Sequence, residues 1–254
     1  MNAREDPSLT QEIGQKPVLN KFKKYPFEEP FFIGLFLFAA HTFLLYLSAK
    51  SFLSTGNILP FILFFIIFLL LLYSYVYMRQ RKQRAIFLDS YSFPSAITTE
   101  VTKRYPHLSE YELEWVIQGL RQYFQLCNAA GVKTVSMPSR VVDVAWHEFI
   151  LMTQSYAQFC DNGLGRFLHH TPASEMASTD RVMKGLKVAW FYACQWQGIN
   201  QASPSRLPLL FAIDDVLSIP DGFKHSLHND YATQASDMGE IGCAGGCGGC
   251  GGGG

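Results

Sequence analysis

The sequence lacks any excess of charge: 21 basic residues stand against 21 acidic ones over 254 residues, for a formal net charge of zero. No broad electropositive surface is on offer, so a nucleic-acid partner is not expected. Period-two alternation of apolar and polar residues is scarce, which argues against a sandwich or barrel and leaves an all-α fold. The six cysteines form no small-scaffold framework. Cys127, Cys160 and Cys194 fall in helical stretches and Cys243, Cys247 and Cys250 in a glycine-rich tail, so all six are read as reduced. A complete catalytic motif is also missing. His147-Glu148 opens like the metalloprotease pattern H-E-x-x-H, but Leu151 stands where the second ligand belongs.

Long apolar runs, by contrast, are present, and they come early. Residues 1–30 are polar, aperiodic and read as a flexible tail. Residues 31–49 then carry no charge apart from the titratable His41, and residues 58–78 form a second run of bilayer length. A cleavable leader fits poorly: the first run starts too late, is too long and has no small-residue cleavage site after it. The link Lys50–Asn57 is so short that two spans must be antiparallel, a transmembrane hairpin over 31–78. Arg79, Arg81, Lys82 and Arg84 follow the second run at once, whereas the link holds only Lys50. The positive-inside rule therefore predicts an integral membrane protein with both termini in the cytoplasm. Tyr73, Tyr75 and Tyr77 fit an interfacial aromatic belt. His41 near mid-membrane is an ionisable residue of the kind that marks transport, but two spans provide no evident ion path, and a neutral imidazole facing the partner helix is the simpler reading.

A cytosolic helical domain is expected over 85–225. Pro94 starts a short helix that Tyr105-Pro106 stops. Ser109 with Glu112 makes a capping box for a helix whose stripe is Leu113, Ile117, Leu120, Phe124 and Cys127, ending at Gly131. Cys127 on that stripe reads as a small core residue. The central stretch comes next. Ser139 caps a helix that, with neither Gly nor Pro from Arg140 to Phe159, is expected to run unbroken to about Cys160. Val142, Ala145, Phe149, Met152, Tyr156 and Phe159 form one buried stripe, and Asp143, His147 and Gln154 lie nearly opposite, flanked by Trp146, Ile150 and Leu151. Asn162, Gly163 and Gly165 turn the chain, and His169-His170 follow in an irregular segment closed by Pro172. A further helix runs from Ser178 or Thr179 toward Gln197, with Val182, Leu186, Ala189, Ala193 and Trp196 on its stripe, Trp190 and Cys194 widening that face and Gly198 beyond its end. A last one spans Arg206 to Leu217 with Pro208 in its first turn.

Asp143 and His147 stand one turn apart, so a carboxylate–imidazole hydrogen bond between them is expected. If the loop folds back, His169 or His170 joins them and Trp146 borders the group. Three readings stay open for this cluster: a structural Asp–His bond with a loop histidine capping a helix end, a metal site in which Asp143, His147, His169 and His170 hold zinc or iron with water, and a metal-free acid–base site.

Val142-Asp143, Trp146-His147, Ile150-Leu151, Tyr156, Cys160, Gly165 and His169-His170 resemble the conserved block of the glycine-rich domain-containing proteins. Tyr105-Pro106-His107-Leu108 and Ile219-Pro220-Asp221-Gly222-Phe223 are weaker supporting pieces. The likeness covers about Arg84 to His225, and the family it points to has no established activity. Many members resemble W-H-x-H, whereas Phe149 stands here where the second His would be, which lowers the case for a metal. Residues 226–254 are a Gly/Cys-rich segment that cannot bury a core and reads as disordered. Its Cys243, Cys247 and Cys250 match the C-x3-C-x2-C spacing of radical-SAM clusters. Nothing barrel-like follows, so soft-metal binding there, with His225 and His228 as further ligands, stands beside a plain flexible tail. Together these readings give a membrane-anchored helical domain with an interaction or scaffolding role toward a protein partner. A metal-dependent or acid–base enzyme at the Asp143 cluster is the alternative.

Overall fold

The computed structural model describes residues 31–56, 58–170 and 179–227, with side chains described outside 31–40, 55 and 179. The expectations for the N-terminal tail, for Pro172, for a cap at Ser178, for His228 and for Cys243, Cys247 and Cys250 lie outside the described residues. Among those described are eight α-helices and no strand, as the missing period-two pattern requires. The chain divides into two compact units between Ile86 and Phe87, and each is taken by itself.

The first unit holds α1 (Phe31–Thr55) and most of α2 (Leu59–Ser90). One expected boundary is corrected here, and the second helix runs on past its apolar part. Lys50 lies inside α1, so the polar link shrinks to the residues around Gly56, whose φ of 65° suits glycine. Arg79 to Arg84 lie inside α2, because no Gly or Pro after Met78 stops the helix before Ser90. The His41 ring stacks on Phe64 at 4.1 Å and lies 5.0 Å from Phe68, which makes it a packing residue between α1 and α2. Among the described residues, α2 is the one helix long and apolar enough to cross a membrane, and none of its apolar window is buried.

The second unit holds α3 (Ser95–Arg104), α4 (Glu110–Ala130), α5 (Arg140–Leu151), α6 (Thr153–Gly163), α7 (Thr179–Gln197) and α8 (Leu209–Val216). Local signals set most of the ends. Pro94 sits at the N-cap of α3, the Ser109–Glu112 box closes in both directions at the start of α4, and Gly131 ends α4 at φ 63°. The expected start at Arg206 moves to Leu209, with Pro208 at the N-cap, where its missing N–H costs nothing.

α4 and α5 are the inner helices: α4 packs against α3, α5, α7 and α8, and α5 against α3, α4, α6 and α8. Phe149 of α5 is fully buried, with the rings of Tyr91, Phe93, Phe124, Tyr156 and Phe159 all within 6.3 Å. Each such side chain contributes roughly 2–3 kcal/mol by leaving water. Cys127 is a core residue, its thiol pushed up to about 12 by burial, and so is no nucleophile. On α7 the most deeply buried positions are Ala189 and Ala193 of the expected stripe together with Trp190 and Cys194, the residues expected to widen its face.

The expected single helix from Arg140 to Phe159 is instead two. α5 stops at Leu151, Met152 leaves helical geometry at φ −82° and ψ 60°, and α6 resumes to Gly163, past the expected end at Cys160. The stripe survives the break, since Val142, Ala145, Phe149, Tyr156 and Phe159 are all buried. What changes is the opposite face: Leu151 is 63% exposed where it was expected to flank a buried polar line.

Candidate functional site

The site is built on the N-terminal end of α5. Ser139 caps the helix by accepting from the Val142 N–H at 3.2 Å, and its own hydroxyl donates to Asp214. One turn further along, Asp143 projects beside the loop that leaves α6. That loop reverses at Gly165, φ 65°, with the Leu164 and Gly165 N–H groups both donating to the Cys160 carbonyl. It is then pinned to the helices. The Tyr156 hydroxyl donates to the Leu168 carbonyl and accepts from the Trp146 indole N–H at 3.1 Å, and the Leu168 N–H donates to the Cys160 sulfur. Burial pushes the Tyr156 hydroxyl well up, so it stays protonated and keeps donating.

The consequence is that His170, not His147, meets Asp143. His170 Nε2 lies 3.0 Å from Asp143 Oδ1, and Arg140 Nη1 lies 3.6 Å from the other oxygen. The expected i,i+4 bond from Asp143 to His147 is therefore replaced by a contact 27 residues long in sequence. Since a carboxylate only accepts, Nε2 of His170 carries the proton that is shared, which leaves Nδ1 as the atom able to take one. Trp146 closes one side of His170, ring centroids 4.7 Å apart, and His147 stands 5.8 Å away. His147 is exposed and makes no hydrogen bond among the described residues. His169 is exposed too, its ring against Phe167 at 4.8 Å. The predicted residues thus share a neighbourhood without sharing one centre. No group of three His, Cys, Asp or Glu side chains that could hold a metal ion occurs among the described residues, so the four-residue metal set from Asp143 to His170 does not assemble. An Asp-supported imidazole beside a second imidazole can hold and pass a proton.

These residues line a cleft of about 770 Å³ between the Val132–Met137 loop, α5 and the Arg166–His170 loop. One wall is set by contact of small groups. Gly185 of α7 sits so close to Ser136 that an added Cβ would lie 2.9 Å from its backbone nitrogen, and the Ser136 hydroxyl donates to the Val182 carbonyl.

Two aspartates that the helical pattern did not single out for the site hold its base. Asp214 of α8 is buried and accepts from the Ser139 hydroxyl and from the N–H groups of Arg140, Val141 and Phe223. Its position one turn after buried Leu210 was the available signal: a carboxylate on an apolar stripe needs partners. Asp221 accepts from the Tyr105 hydroxyl at 2.8 Å, from Arg104 at 3.1 Å and from Arg140 Nε at 3.2 Å. Arg140 therefore touches both Asp221 and Asp143. His107 donates to the Leu217 carbonyl and His225 to that of Pro138, which ties His225 to the segment that leads into α5.

Burial opposes ionisation of Asp221, but hydrogen bonds from Tyr105, Arg140 and Arg104 outweigh it and hold the carboxyl down at about 2. Tyr105 moves the other way, to about 12, through burial and then its bond to Asp221. The folded carboxyl is more acidic than the unfolded one, so its stabilisation is complete above an unfolded value of about 3.9 and disappears as pH falls through about 2. With the side chain 43% exposed, solvent screening limits the effect to about 1 kcal/mol or less. Urea midpoints of wild type and Asp221→Asn are expected to differ at neutral pH and converge near pH 2. An unchanged gap at the acid end would show that the carboxylate's charge is not what stabilises.

Residues 83–247 match the model of the family described as UCP032817-like. No curated protein matches the chain, and no solved structure does. The matched region begins after the apolar run of α2 and contains every residue of the cleft.

Proposed function

The chain belongs to the UCP032817-like family, and on that footing we propose that it is a membrane-anchored interaction module: α1 and the apolar part of α2 form a transmembrane hairpin, and the helical unit binds its partner on the cytoplasmic side through the cleft at Asp143 and His170. The observation that carries the anchoring is the unburied apolar window of α2, about 27 Å long for 18 residues at 1.5 Å each, in a helix whose apolar part is followed at once by Arg79, Arg81, Lys82 and Arg84. Water would not tolerate so much contiguous apolar surface. The cleft is favoured as the contact surface because it gathers the site residues, and proton-bearing groups at its floor give a partner specific points of attachment.

Protease protection on sealed vesicles, with an epitope tag at each end, tests the arrangement. Both tags are expected on the cytoplasmic face. Leu69→Arg combined with Leu70→Arg places two charges at mid-span, each costing about 2.5–3.5 kcal/mol at a helix centre, so α2 should fail to insert and the C-terminal tag should move to the opposite face. A wild-type chain released by alkaline carbonate, or one with its tags on opposite faces, would sink the proposal.

A further inference from the structure

We propose that the ligand of this cleft is an amphipathic organic phosphate, its phosphate held by Lys133 and Arg166 and its apolar body against Val132, Phe167 and Phe223. This rests on the cleft being the contact surface, and it adds the chemistry of what is contacted.

Charge accounting carries the first half. The lining holds four cations, Arg104, Lys133, Arg140 and Arg166, and two carboxylates, Asp143 and Glu148. Arg104 and Arg140 are already paired with Asp221, and Asp143 is engaged by Arg140 and His170. Lys133 and Arg166 have no carboxylate partner among the described residues. Arg166 spends one N–H on the Gly131 carbonyl at 2.8 Å, a neutral acceptor that leaves its charge without a carboxylate among the described residues. Glu148 is the single opposing charge, and three imidazoles line the same space. The planar fork of Arg166, held against Gly131 two residues before Lys133, shares this lining with the Lys133 ammonium and the imidazoles, a donor set that suits the several acceptor oxygens of a phosphate.

Exposure carries the second half. Among the described residues of the helical unit, the large apolar side chains left exposed are Tyr111, Val132, Leu151, Phe167 and Phe223. Three of these five line this one cleft, Val132 at 95% exposure. Scattered exposed apolar groups need no explanation, but their convergence beside unpaired cations describes a site for a molecule with a greasy body and an anionic head.

Full-length protein in phosphatidylcholine nanodiscs is titrated calorimetrically with phenyl phosphate, phenol and inorganic phosphate. Phenyl phosphate is expected to bind at least about tenfold tighter than either fragment. Arg166→Met and Lys133→Met should each weaken phenyl phosphate about tenfold and leave phenol unchanged, while Glu148→Gln should tighten phenyl phosphate. Phe167→Ser should weaken phenol and phenyl phosphate alike. Repeating the titration in nanodiscs containing phosphatidic acid separates the two sources: loss of phenyl phosphate binding assigns the head to a membrane lipid, and retention assigns it to a soluble phosphate ester. Equal binding of phenol and phenyl phosphate, or an Arg166→Met protein that binds phenyl phosphate as wild type does, overturns the phosphate assignment and leaves the cleft as a contact surface. If phenol and phenyl phosphate both fail to bind, the amphipathic-phosphate assignment is overturned whole, while the membrane arrangement is judged by the protease test above.

Discussion

Asp214→Ala is expected to destabilise the helical unit by about 3–5 kcal/mol, measured by urea unfolding of the detergent-solubilised protein followed by tryptophan fluorescence. The carboxylate is 3% exposed and takes hydrogen bonds from the Ser139 hydroxyl at 2.7 Å and from the N–H groups of Arg140, Val141 and Phe223 at 2.6, 3.1 and 2.8 Å. Two of those N–H groups belong to the first turn of α5, where no helical carbonyl can reach them and the helix dipole favours an anion. Alanine strands four donors at once. Each stranded buried group costs about 1–3 kcal/mol, and water admitted to the gap keeps the sum below simple addition. Against a total stability of about 5–15 kcal/mol, that loss is large enough to leave a measurable unfolded fraction. Asp214→Asn keeps one acceptor oxygen but turns an amide N–H toward two donors, so it should lose about half as much. Asp215→Ala, next door but exposed, should stay within about 0.5 kcal/mol. A loss below about 1 kcal/mol in Asp214→Ala would mean that the α5 N-terminus is held by something other than this carboxylate.

The same carboxylate marks where reading the sequence stopped. Helix ends were legible because capping is local chemistry: Ser109 with Glu112, Pro94, Gly131 and Ser139 each act within four residues of themselves. Buried stripes were legible because Val142, Phe149 and Phe159 repeat at the helical period and are buried. The break at Met152 was not, since no Gly or Pro stands between Arg140 and Phe159 and the buried stripe stays in phase on both sides of it. Asp143 was recognised as a site residue, yet the i,i+4 rule paired it with His147, whereas the loop that Tyr156 and Cys160 pin to α6 delivers His170 to it. Asp214 and Asp221 find partners between 9 and 117 residues away, beyond the reach of local periodicity. Tyr105-Pro106-His107-Leu108 and Ile219–Phe223 stood out as separate pieces, and the fold joins them through Tyr105 to Asp221 and His107 to the Leu217 carbonyl.

Phe149 ties core and site together, and its replacement is expected to separate them. Phe149→Ala should cost about 3–5 kcal/mol, because the ring is fully buried and the five rings around it cannot all close on the space it leaves. Position 149 is also where the expected resemblance to W-H-x-H proteins would put a second histidine, and placing one there would be the simplest route to a metal site with His147. The geometry says otherwise. Residues two apart on a helix point about 200° away from each other, so the face that exposes His147 to the cleft turns position 149 into the aromatic cluster, far from Asp143 and His170. Phe149→His would bury an imidazole among Tyr91, Phe93, Phe124 and Phe159, with a ring N–H to satisfy and less apolar area to bury. It should therefore cost about 2–4 kcal/mol and bind no more zinc than wild type when measured by elemental analysis after zinc loading and desalting. A stoichiometric gain of zinc in Phe149→His, abolished by adding His147→Ala, would refute this orientation of α5 and reopen the cleft as a metal centre.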